Sequence, residues 1–107
     1  MPIYNKLVRD LIPEIVADSG KRAVTRVLTE EEYRKKLQEK LLEEVREYME
    51  ASSAQDSLEE LADVLEVVYA LAKGHGSTVE ELESIRLSKS MKRGGFEKRL
   101  FLHEVED

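Results

Sequence analysis

Between Thr29 and Glu50 the large apolar residues Tyr33, Leu37, Leu41, Val45 and Tyr48 recur at intervals of three and four, which predicts one long amphipathic helix over about 30–50. Thr29 and Glu32 stand three apart at its head, the spacing of a capping box in which each side chain satisfies the other's backbone N–H. The polar run EASSAQD, residues 50–56, interrupts the pattern. Asp56 and Glu59 then read as a second capping box before a helix over 57–73, and Gly74 reads as its C-cap. Thr78 and Glu81 open a further helix, VEELESIRLSKSMKR, which Gly94 and Gly95 close. Near the start of the chain, Asp10 with Pro13 marks a short helix reaching about Ala17, stopped by Gly20.

Two stretches follow a different rhythm. RAVTRVL, residues 22–28, is rich in β-branched side chains, and the tail FEKRLFLHEV packs its apolar residues closely, so both read as short strands that pair with each other. The architecture expected is therefore all-α, an antiparallel bundle of about four helices with a small two-stranded β patch. No Pro- or Ser-rich linker divides the chain, and residues 1–107 are expected to form a single domain.

Composition narrows the chemistry. Charged residues make up 37% of the 107, and the net charge is −6, which argues against a basic face gripping a nucleic-acid polymer. There are no cysteines, so thiolate metal sites and cysteine nucleophiles are excluded, and His75 and His103 are too few for a histidine-rich site. The absence of an apolar signal core or a bilayer-length apolar run leads to the expectation of a cytoplasmic protein with no membrane partner.

Helical projection sorts the many acids into two groups. With Leu41 as the zero direction, Glu44 falls at about −60°, inside the apolar stripe, and Glu47 at about −120°, on its edge. Glu43 at about 200° and Glu50 at about 180° point away and read as solvated. On the next helix Glu60 and Asp63 lie among Val64, Val67 and Ala70, whereas Glu59 falls on the narrow polar face. If the two helices run antiparallel across a tight turn, Glu47 lies level with Glu60 and Glu44 with Asp63.

Carboxylates on apolar faces lose hydration and repel one another, which raises their pKa values and destabilises the fold unless a cation compensates. Oxygen-only ligation points to Mg²⁺, with Mn²⁺ suited to the same ligands. The competing account is an acidic, solvated surface laced with ion pairs, as a single E-x-x-E on such a helix usually is.

Basic groups are also patterned. Arg86, Lys89 and Arg93 fall within an arc of about 60° on the last helix, suited to an oligophosphate or to pairing with neighbouring acids. Asn5, Lys6, Arg9 and Asp10 gather an amide, two cations and a carboxylate near a helix start, where anions are also favoured.

The motifs EEVRE (43–47) and ELAD (60–63) resemble the E-E-x-x-E and E-x-x-D motifs of the MazG-like, all-α nucleoside triphosphate pyrophosphohydrolase superfamily. The opening YNKLVRDLIPEI and closing RGGFEKRLFL resemble its small house-cleaning branch, related to phosphoribosyl-ATP pyrophosphohydrolase. The resemblance spans nearly the whole chain. It implies a helical homodimer or homotetramer that binds Mg²⁺ and cleaves a nucleotide substrate between its α- and β-phosphates. Carried over by position, the metal ligands are Glu44, Glu47, Glu60 and Asp63. One ligand glutamate is expected to orient the attacking water or accept its proton, and Glu44 is the candidate for that role. The resemblance further implies phosphate contacts by Lys89 and Arg93, and a substrate-binding role for Asn5, Lys6, Arg9 and Asp10. The expected activity is conversion of a nucleoside triphosphate to monophosphate and pyrophosphate, on non-canonical or surplus nucleotides or a related phosphoribosyl nucleotide. A nucleotide-binding sensor without turnover and a structural helical oligomerisation protein are the two alternatives.

Overall fold

The computed structural model describes residues 2–107. It consists of four α-helices: α1, Ile12–Asp18; α2, Glu30–Glu50; α3, Ala54–Gly74; and α4, Val79–Arg93. The starts of the three longer helices have a shared local cause. Thr29, Ser53 and Thr78 are each extended, and each hydroxyl accepts from the backbone N–H three residues on. At Thr29 the box is complete, because the Glu32 carboxylate also accepts from the Thr29 N–H at 3.1 Å.

Two boundaries differ from the sequence reading. α3 begins at Ala54 with Ser53 as its cap, not at the Asp56–Glu59 box, because the Ser53 hydroxyl captures the Asp56 N–H at 3.0 Å. α1 begins after Leu11, which has no capping side chain, so Asp10 is not the cap. Gly94 closes α4 at φ 83°, a backbone region that glycine enters without steric penalty.

α2 and α3 form an antiparallel hairpin across residues 51–53, and they make the main helix–helix packing, with Leu37 and Val67 buried between them. At its open end the Arg34 guanidinium donates to the Gly74 carbonyl at 3.2 Å, satisfying an acceptor that the helix terminus leaves unpaired. α4 leans more lightly on α3. The Cα radius of gyration is 18.3 Å, against about 13 Å for a compact domain of this length. Leu58, Leu61 and Leu65 accordingly remain exposed along one side of α3. None of the helices is long and apolar enough to cross a membrane.

The β patch is not formed: there is no strand among the described residues. Residues 22–28 run without regular structure, and Val27 is 97% exposed. What secures this segment is a two-bond pairing of Arg26 with Glu32, at 2.8 and 3.1 Å. The tail is bent by a turn in which the Arg99 N–H donates to the Phe96 carbonyl, with Arg99 at φ 56°. A strand requires a partner along its backbone, and no backbone hydrogen bond joins the tail to residues 22–28.

Candidate metal centre

The centre is built from the middle of α2 and the first half of α3. Glu44 occupies a core-facing position two turns beyond Leu37, and the packing of α3 leaves it only 6% exposed. From the facing helix come Glu60 and Asp63, one turn apart and half-buried. The antiparallel hairpin therefore brings one carboxylate oxygen from each of Glu44, Glu60 and Asp63 to within 4.8 Å of the others. Glu44 belongs to a second group as well, with Glu43 and Glu47, whose oxygens meet the same distance.

Electrostatics at this centre are incompletely compensated. Glu44 Oε2 and Glu60 Oε2 are shielded from solvent and accept no hydrogen bond. Burial pushes the Glu44 carboxyl above its ordinary range; the adjacent Glu47 adds to the rise, and Lys40 opposes it. Burial also raises Glu60, where contact with Glu47 opposes the shift and the charges of Asp63 and Glu44 reinforce it. An all-oxygen donor set with two orphaned, shielded oxygens fits a hard divalent cation, which would remove both the desolvation and the mutual repulsion.

Two cations of the chain already touch the cluster. Lys40 Nζ lies 3.3 Å from Glu44 Oε1 and 3.6 Å from Glu43 Oε2, with its side chain only 19% exposed. The Arg9 guanidinium donates to Asp63 Oδ1 at 2.7 Å, joining the N-terminal segment to α3. Lys40 escaped notice in the sequence, although its position one turn before Glu44 was the available signal. Glu43 also departs from the projection, which placed it with the solvated acids. Its long side chain turns toward Lys40, so it is half-buried and within reach of Glu44 and Glu47.

The remaining candidates lie around this centre at varying distance. Asp10 lines a groove of about 410 Å³ at the open end of the hairpin, together with Tyr33, Arg34, Leu37, Glu66 and Lys73. Asn5 adopts φ 45°, and Lys6 Nζ sits 5.8 Å from the Tyr4 ring; both are exposed and neither bonds to the acids. Lys89 and Arg93 are exposed on α4 and form no ion pair among the described residues. Arg86, the third member of that stripe, is taken up by Glu83 on its own helix, with Nε donating at 2.9 Å.

A model of the family described as phosphoribosyl-ATP pyrophosphohydrolase matches residues 10–86, from the approach to α1 to the middle of α4. Arg9, Lys89 and Arg93 lie outside the matched span, and Glu43, Glu44, Glu47, Glu60 and Asp63 lie inside it. No curated protein and no solved structure matches the chain. Covering well over half of the 107 residues and every acid of the cluster, the match shows that the chain belongs to the phosphoribosyl-ATP pyrophosphohydrolase family, within the MazG-like all-α superfamily of nucleotide pyrophosphatases.

Proposed function

We propose that residues 1–107 act as one Mg²⁺-dependent pyrophosphohydrolase domain. It cleaves a nucleoside triphosphate, non-canonical or surplus, or a related phosphoribosyl nucleotide, between the α- and β-phosphates, releasing the monophosphate and pyrophosphate. The family match supports the reaction class. The observation that carries the metal reading is the pair of shielded, unpartnered oxygens on Glu44 and Glu60, two acids whose carboxylates meet that of Asp63 across the hairpin.

Glu44, Glu60 and Asp63, joined by Glu47, are the ligands in this reading. A bound Mg²⁺ supplies neutralisation of phosphate charge and acidifies a water for attack. Glu44, the most buried acid of the cluster, would orient that water and accept its proton. Lys40 holds Glu44 through Oε1, which leaves Oε2 without a partner. Lys89 and Arg93, cationic and without acidic partners, steady the leaving pyrophosphate. Asn5, Lys6, Arg9 and Asp10 close over the substrate from the N-terminal side. The groove beyond Glu66 adjoins the cluster one turn along α3, giving room for the rest of the nucleotide.

Self-association belongs to the same reading. One copy leaves Leu58, Leu61 and Leu65 exposed along one side of α3, an apolar stripe that a second copy would cover.

Replacing Asp63 or Glu60 with alanine is expected to abolish Mg²⁺-dependent pyrophosphate release from a nucleotide mixture while the helical circular-dichroism spectrum is kept. Wild-type turnover in a folded variant would overturn the assignment.

A further inference from the structure

Within the acid cluster the oxygens are not equivalent. Glu44 Oε2 and Glu60 Oε2 have no partner, whereas Asp63 Oδ1 is held by Arg9. The two cations that serve the cluster are mounted differently. Lys40 sits on the same helix as Glu43 and Glu44, pairs with both, and has only 19% of its side chain exposed. Arg9 comes from the segment before α1. Its backbone is anchored, since its carbonyl accepts from the Ile12 N–H at 3.1 Å, but its side chain is 58% exposed and reaches Asp63 from the solvent side. An ion pair of that exposure is held weakly. A guanidinium with five donors in a planar fork is also a bidentate partner for phosphate, and it keeps its charge at any working pH.

Geometry and charge together set up a competition. A divalent cation drawn to the Glu44, Glu60 and Asp63 carboxylates arrives next to the guanidinium that already holds Asp63 through Oδ1. Like charges at that separation repel, and a cation held by three carboxylates outcompetes a single exposed hydrogen-bonded pair. Arg9 is the member able to move: rotation about its side-chain bonds releases Asp63 without disturbing any helix.

We propose that Arg9 is an exchangeable tether: it occupies Asp63 while no metal is bound, yields that carboxylate to the divalent cation, and the displaced guanidinium then grips the substrate's phosphates. The inference rests on the acid cluster being a metal site. It adds a link between the two binding events, because loading the metal is what presents Arg9 to the phosphates. It also assigns the N-terminal segment a changed attachment in the loaded state, from α3 to the ligand.

Opposite effects of one substitution test this. Mn²⁺ alone serves as the metal probe, followed by electron paramagnetic resonance of the unbound ion, and inorganic triphosphate at saturating Mn²⁺ serves as the phosphate probe. Arg9→Gln removes the competitor, so Mn²⁺ binding is expected to tighten about two- to fivefold, the range set by an exposed ion pair. Triphosphate binding is expected to weaken about tenfold through loss of a charge-assisted contact. In the wild-type protein, Mg²⁺ is expected to shift the Arg9 side-chain Nε–H resonance.

Unchanged or weakened Mn²⁺ binding in Arg9→Gln would overturn the exchange, the weakened case meaning that Arg9 orients Asp63 as a ligand. Unchanged triphosphate binding would overturn the second half of the proposal. Failure of the wild-type protein to bind Mn²⁺ at all would instead remove the metal reading, and the exchange with it.

Discussion

Replacing Glu44 with glutamine separates a metal ligand from a structural ion pair, because the two accounts predict opposite signs. Glu44 is nearly buried, with Oε2 unpartnered and Oε1 3.3 Å from Lys40. Without metal, a shielded carboxylate lacking a partner on one oxygen costs about 1–3 kcal/mol. Its ion pair with Lys40, which keeps Glu43 as a second partner after the substitution, returns about 1 kcal/mol, the upper end of the range for exposed pairs. Glutamine keeps the shape and removes the charge, so the metal-free variant is expected to gain about 1 kcal/mol net, or a rise in Tm of about 4–8 °C for a chain of this size. With Mg²⁺ the order reverses. If the cluster holds the ion, saturation at about a hundred times Kd is expected to stabilise the wild-type protein by about 2.7 kcal/mol, a gain that the variant should largely lose. The assay is thermal unfolding followed by circular dichroism at fixed protein concentration, with chelator and then with millimolar Mg²⁺. A variant that melts lower than wild type in chelator would show that the Lys40 pair outweighs the desolvation cost. A variant that keeps the full Mg²⁺ response would refute the place of Glu44 among the ligands.

The pH dependence of the metal-free protein carries the same signature. Glu44 and Glu60 are both raised above the ordinary 4.5, so their contribution to stability is present below that value and is lost as pH rises through their elevated folded values. Glu32 acts in the opposite sense: Arg26 lowers it to about 2, and its contribution is lost as pH falls from 4.5 toward that value. Chelator-treated wild type is therefore expected to lose stability on going from pH 4.5 upward, and Glu44→Gln to lose less over that window; parallel curves would contradict the assignment. For self-association, Leu61→Glu puts a charge at the centre of the exposed α3 stripe, and sedimentation should show a smaller species than wild type. An unchanged sedimentation coefficient would move the interface elsewhere.

How much of this was legible along the chain depends on the range of the cause. The capped starts of α2 and α4 were readable because a hydroxyl and the N–H three residues on lie within one turn. The start of α3 was not: Asp56 reads as the cap from spacing alone, and only the backbone path puts Ser53 in that place. The inward positions of Glu44, Glu60 and Asp63 followed from helical periodicity, which needs no knowledge of the partner helix. Glu43 was misplaced because projection fixes the direction of Cβ and not where a long side chain ends. The expected strands failed for a different reason, since β propensity describes readiness to pair and cannot supply the partner.

The sequence by itself determined the helices, the caps of α2 and α4, and which acids stand among leucines and valines, because these depend on spacing within a few residues. Only the tertiary structure decided that carboxylates from α2 and α3 meet within 4.8 Å, that two of their oxygens lack partners, and that Arg9 holds Asp63 from 54 residues away. Those facts arise from chain segments brought together by the hairpin and by the course of the N-terminal segment. Spacing along the sequence does not encode such distances; the packing of Leu37 and Val67 between the helices does.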